Sequence, residues 1–207
     1  EIIADTLPTS IALGGLAFFL ALFAGSFLGL FAALNQNRFE FQQSPFQSSV
    51  LNILSKGSVL FANALSSLPP FLLSAGLVLV FSLWLQVLPP ALLEQPASWV
   101  LPVLTLAARP TALFFRLMHN AATEVLKSDF IRVAYAKGLT DIQVLLKHVF
   151  KNALFPSLSM LGSLFAGLVT GSFVVEVVFA IPGMGKYYIS AVLDRDMPLI
   201  LGITLVY

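Results

Sequence analysis

Apolar residues fall in long runs along this chain, and the polar ones collect between the runs. Crossing about 30 Å of hydrocarbon takes about 20 largely apolar residues in helical conformation. Four runs meet that requirement, at residues 7–34, 68–88, 99–118 and 153–179, and a fifth starts at 197 and reaches the last residue, 207. Pro69-Pro70 opens the second run, where early helical positions need no amide donor, and Pro89-Pro90 closes it. The pattern predicts an all-α, polytopic membrane protein with four full spans plus the start of a fifth, in a single transmembrane domain over 1–207. A run that stops halfway leads us to expect a piece of a longer protein. The first run is read as a span, because Glu1 and Asp5 stand where a cleaved leader carries basic residues.

Charge then orients the spans. Arg38 and Lys56 lie in the loop after the first run, and Arg116, Lys127, Arg132, Lys137, Lys147 and Lys151 lie in or beside segment 119–151. The alternate loops hold Lys186 and Arg195, offset by Asp194 and Asp196. The excess of Lys and Arg marks the cytoplasmic side, so 119–151 is expected inside and the loop around 182–196 outside. Segment 35–67 reads as a polar loop and an interfacial helix.

Composition agrees with a membrane protein: 58% of residues are hydrophobic and 10% charged, against about 25% charged in soluble domains. The net charge of +1 gives no footprint for nucleic acid. Cysteine is absent, which removes disulfides and thiolate metal sites. His119 and His148 belong to no metal-ligand or catalytic motif, and no GxxxxGK[ST] loop is present, so catalysis, ATP hydrolysis and a resident metal or cofactor are not expected on this chain.

The segment from Ser128 to Pro156 is the most specific part of the sequence. Ser128 or Asp129 can cap a helix running to Lys137, and Gly138 can take the left-handed conformation that ends it. Thr140-Asp141-Ile142-Gln143 fits a capping box that starts a second helix, with an apolar stripe of Ile142, Leu145, Leu146, Val149 and Phe150 expected to pack on the chain's own helices. The first helix carries small residues flanked by charge next to a sharp turn. It fits either a helix docked into a soluble partner or a solvated connector.

Residues Asp129-Phe130-Ile131-Arg132-Val133-Ala134-Tyr135-Ala136-Lys137-Gly138-Leu139, followed by Lys147-His148 and Asn152-Ala153-Leu154-Phe155-Pro156, resemble the cytoplasmic signature of permeases in binding-protein-dependent ABC importers, specifically the peptide and nickel (oligopeptide/dipeptide) family. Pro69-Pro70-Phe71, Leu101-Pro102-Val103-Leu104-Thr105-Leu106, and Gly171-Ser172-Phe173-Val174-Val175-Glu176 leading to Pro182-Gly183-Met184-Gly185 match it in the same order.

The resemblance implies the type I ABC importer permease fold and a bacterial inner (plasma) membrane location. It implies a subunit that forms part of a path for peptides and works with a second permease, two cytosolic ABC ATPases that hold ATP and Mg, an extracytoplasmic substrate-binding protein and membrane lipid. Asp129, Arg132, Ala134, Tyr135, Ala136, Lys137, Gly138 and Leu139 are then the expected ATPase-coupling residues, in a coupling segment of about 119–151. Alternatives are a nickel or other small-solute permease of the same family, or a passive or degenerate channel or scaffold. Two ionisable residues at membrane depth complete the candidates: Arg109, either paired within the protein or lining the path, and Glu176, either paired or forming an outer gate.

Overall fold

Helices make up all the regular structure among the described residues, which in this computed structural model are 2–41, 57, 60, 62, 64, 66–91, 93 and 95–206. Helix α1 covers Ile2–Phe41 without a break. Helix α2, Pro70–Leu77, continues as a π-helix over Val78–Trp84. A 3₁₀ turn at Pro96–Trp99 leads into α3, Val100–Leu126. Helix α4 is Asp129–Ala136, and α5, Asp141–Val144, passes through a π-helical stretch at Leu145–Val149 into α6, Phe150–Leu158. Helices α7 (Leu161–Thr170), α8 (Phe173–Val178), α9 (Met184–Asp194) and α10 (Met197–Val206) follow. The interfacial helix expected within 35–67 lies largely outside the described residues.

Among the described residues, three stretches are long and apolar enough to cross a membrane: Ile2–Leu34, Pro96–Leu126 and Leu161–Val178. The second apolar run forms the shorter helix Pro70–Trp84. Its last turn is widened, with Leu85 N–H donating to Val80 O at 2.9 Å, and Gln86 then takes a φ of 52° ahead of Pro89-Pro90. A proline pair cannot continue a helix, so the chain leaves it there. Two hydroxyls inside these helices bond back to their own backbone, Ser74 to Pro70 O (2.8 Å) and Thr105 to Leu101 O (2.9 Å). Such local bonds let a polar side chain sit where no water is available.

Packing divides the chain into two compact units. The first comprises Glu1–Phe19, Leu68–Ala108 and Ser163–Tyr207. Within it, Phe18 meets Phe165 edge to face at 5.3 Å, and Leu13, Phe179, Ile181, Met184 and Ile203 are buried. Gly14 lies so close to α7 that a Cβ there would come within 2.9 Å of Val169 Cα.

The second unit comprises Leu20–Ser67 and Arg109–Gly162. Here α1 presents Gly25 and Gly29 to α3: a Cβ on Gly25 would fall 2.8 Å from Phe114 Cβ, and one on Gly29 3.0 Å from His119 N. Small residues four apart let two membrane helices approach backbone to backbone, where dispersion replaces the hydrophobic effect as the attraction. Beyond this seam a core forms from Leu30, Ala33 and Leu34 of α1, Met118, Ala122 and Leu126 of α3, and Ile131, Ala134, Val144, Val149 and Ala153 of the elements that follow.

Candidate functional site

The basic segment is built on that second core, and local chemistry sets each of its corners. Helix α3 ends where Lys127 N–H and Ser128 N–H close tight turns on Glu124 O (3.1 Å) and Val125 O (3.0 Å). Ser128 takes the N-cap position of α4, with φ −74° and ψ 151°, but its hydroxyl donates back to Val125 O instead of accepting from the new helix. Asp129 stands in the first turn, where the helix dipole favours a carboxylate.

Helix α4 is short, so its position depends on what its inner face touches. Ile131 and Ala134, three residues apart, are 0% and 4% exposed in the core. The outer face carries Phe130 and Val133, about half exposed, beside Asp129, Arg132, Ala136 and Lys137. Arg132 Nη1 and Asp129 Oδ1 are 3.7 Å apart with side chains 65% and 96% exposed. A pair this open to solvent contributes less than about 1 kcal/mol and exchanges easily for another partner.

The end of α4 is a Schellman motif. Leu139 N–H donates to Ala134 O (3.3 Å), Gly138 N–H to Tyr135 O (2.9 Å) and Lys137 N–H to Val133 O (3.0 Å), while Gly138 sits at φ +80°. Leu139 packs against the same core as Ala134, which supplies the apolar contact that accompanies the motif. One residue later the capping box forms in both directions, with Thr140 N–H donating to Gln143 Oε1 (3.0 Å) and Gln143 N–H to Thr140 Oγ1 (3.4 Å). Two fixed reversals in succession leave little freedom between α4 and α5.

The structure therefore gathers the eight coupling candidates on one capped corner and assigns them different positions. Asp129, Arg132, Ala136, Lys137 and Gly138 are exposed, Tyr135 and Leu139 are half-buried, and Ala134 faces the core. Phe130 and Val133 are not among the coupling candidates; each lies one residue, about 100° of helical turn, from a member of the buried Ile131–Ala134 pair and joins the exposed side. Of the stripe expected on the next helix, Val149 is fully buried and Leu145 and Phe150 pack against the same core, whereas Ile142 and Leu146 are exposed and Val144, outside the stripe, is fully buried. The π-helical turns at Leu145–Val149 account for the added position, because i→i+5 spacing brings Val144 onto the same face as Val149.

Arg109 and Arg116 project from one face of α3, and both are exposed. Asn120, Glu124 and Lys127 continue that polar face toward the basic segment. Among the described residues, Arg109 has no ion-pair partner.

Glu176, in the first unit, is 0% exposed. Its Oε1 accepts from Ser172 Oγ at 2.6 Å, and its Oε2 accepts from Gly185 N–H at 2.8 Å in the first turn of α9. The preceding amide, Met184 N–H, donates to Ser10 Oγ of α1 at 2.9 Å. Side chains at 183 and 185 would collide with the Glu176 carboxyl and with Phe173, so glycine is required at both. The carboxyl group thus has hydrogen-bond partners on both oxygens.

Comparison with known proteins adds an independent line. The family model described as "Binding-protein-dependent transport system inner membrane component" matches residues 25–207. The chain is 40% identical over 200 residues to the dipeptide transport system permease protein DppB of Bacillus subtilis, covering 97% of this chain and 60% of that protein. It is 37% identical over 208 residues to the oligopeptide transport system permease protein OppB of Haemophilus influenzae and 34% over 207 residues to OppB of Escherichia coli, covering 99% of this chain and 63% of each. The chain therefore spans about 60% of the length of these curated relatives. A crystal structure titled as an amino acid ABC transporter with histidines superposes with a TM-score of 0.63 at 15% identity, over 100% of this chain and 86% of that one, a likeness of fold.

Proposed function

This chain belongs to the family of binding-protein-dependent transport system inner membrane components, and from that premise we propose that it is a permease subunit of an ATP-binding-cassette importer, forming part of a path for peptides. The peptide assignment is supported by relatives named as dipeptide and oligopeptide permeases at 34–40% identity. In this reading the chain is one membrane domain in which Pro70–Trp84 supplies a fourth span and Met197–Val206 the start of a fifth. A second permease, two ATPases and an extracytoplasmic binding protein complete the assembly.

The observation that carries the proposal is the doubly capped corner from Asp129 to Gln143. A helix that transmits the movement of an ATPase must be seated firmly on one side and exposed on the other. Helix α4 has both properties, with Ile131 and Ala134 in the core and Phe130, Arg132, Val133 and Lys137 outward. The Gly138 reversal then passes any displacement of α4 directly into α5 and α6. Arg109 is assigned to the path, where a guanidinium suits a peptide carboxylate.

The test is uptake of labelled di- and oligopeptides into proteoliposomes holding the full-length protein with its partner subunits. ATP-dependent accumulation of peptide supports the reading. Accumulation of nickel or another small solute in place of peptide moves the substrate within the family, and solute flux that ignores ATP contradicts the importer.

A further inference from the structure

We propose that Glu176 is a positioning residue whose clasp makes helix α9 and the span Leu161–Val178 move as one body, so that a load applied to α9 from outside is delivered into the span. The inference rests on the transport reading above and on the charge bias that puts 182–196 outside.

The clasp binds three elements at one point. Glu176 reaches from α8 to the Gly185 amide at the start of α9, Ser172 holds the other carboxylate oxygen, and Ser10 brings α1 to the neighbouring amide of Met184. The reversal between α8 and α9 is as fixed as the clasp. Ala180 N–H donates to Val177 O (3.2 Å) and Ile181 N–H to Glu176 O (2.8 Å), with Ala180 at φ +53°. A residue with a Cβ adopts that conformation only where the surroundings hold it, and Ile181 is fully buried there.

The far end of α9 is closed in the same manner. Arg195 takes φ 58°, Asp196 N–H donates to Ala191 O (2.9 Å), and Asp196 Oδ1 accepts from Leu199 N–H (3.2 Å) in α10. A helix fixed at both ends has no slack in which an applied displacement could be lost. Lys186, Tyr187 and Leu193 are exposed on α9 and available to receive the load.

The mechanism needs hydrogen bonds from position 176, and an amide can supply them. In Glu176→Gln the side-chain oxygen accepts from Gly185 N–H and the NH₂ donates to Ser172 Oγ. The Ser172 hydroxyl then donates to Val169 O, already 3.0 Å away. Glu176→Ala supplies neither bond.

The experiment uses the assembled transporter in nanodiscs and reads ATP hydrolysis with and without substrate-loaded binding protein. We expect Glu176→Ala to keep its ATPases and its basal hydrolysis but to lose about fivefold of the stimulation, a size usual for the removal of one coupling contact. Glu176→Gln should restore stimulation. Ser10→Ala, which removes the second strand of the clasp, should lose less in the same direction. It decides the matter if Glu176→Ala fails to assemble. Full stimulation in Glu176→Ala, equal losses in the alanine and glutamine variants, or an unaffected Ser10→Ala beside a non-assembling Glu176→Ala would each overturn the proposal. A wild type that the binding protein does not stimulate contradicts the transport reading itself, and so is distinguishable from a failure of the clasp.

Discussion

The reversal after α4 and the reversal after α8 use the same backbone arrangement for different ends. Both are Schellman motifs with a left-handed residue, Gly138 at φ +80° in one and Ala180 at φ +53° in the other. Around Gly138 there is open space, since a Cβ there would meet no atom within 4 Å. Around Ala180 the chain is enclosed, with Phe179 and Ile181 buried and Glu176 tying the next helix down. The first reversal carries a surface of mixed charge and apolar groups and leaves it uncovered. The second uses its polar groups internally. Identical local geometry thus serves presentation in one unit and locking in the other, and the difference lies in what the flanking side chains touch.

Substitutions at the two reversals should separate these roles. The largest effect is expected from Gly185→Ala, whose Cβ must enter the space of Phe173 and the Glu176 carboxyl; overpacking of this kind costs about 3 kcal/mol. Thermal unfolding of the purified complex should record it, and a midpoint unchanged from wild type would show that the enclosed reversal can yield. At the open reversal a Cβ on residue 138 meets no atom within 4 Å, so Gly138→Val acts through its backbone conformation, at a cost of about 1–2 kcal/mol. Its signature should be functional: ATP hydrolysis continues while uptake falls, and preserved uptake per ATP would remove the corner from the coupling path. Thr140→Ala breaks the capping box and should cost about 1 kcal/mol, read as earlier proteolysis or faster amide exchange in α5. The smallest change has the opposite sign. Ala180→Gly relieves a left-handed alanine and should stabilise by about 0.5–1 kcal/mol, so a lowered unfolding midpoint would contradict the strain at that residue.

How much of this was legible in the sequence follows from the range of each interaction. The Gly138 turn and the Thr140 capping box are local, each needing only a few neighbouring residues, and both appear where the sequence puts them. The stripe after the capping box is equally local, and Leu145, Val149 and Phe150 do meet the core, but nothing in the apolar spacing announces the π-helical turns that accompany a buried Val144 and exposed Ile142 and Leu146. The Gly25–Gly29 pair is visible as a spacing, but its meaning depends on the α3 backbone lying against it. The bond from Met184 to Ser10 joins residues 174 positions apart, beyond any periodicity. Ala180 carries no glycine to mark a positive φ. Glu176 was recognisable as a charge out of place, and only the fold says that Gly185 and Ser172 receive it.

The central claim is that α4 carries the contact with the ATPases. It is tested most directly by co-expressing the full-length protein with its partner subunits and comparing ATPase retention on purification between wild type and an Arg132→Glu, Lys137→Glu pair. Both side chains are exposed and outside the core, so the folded permease should be recovered in equal amount from both preparations. The account predicts ATPase retained by wild type and lost from the variant. Equal retention in both would contradict it.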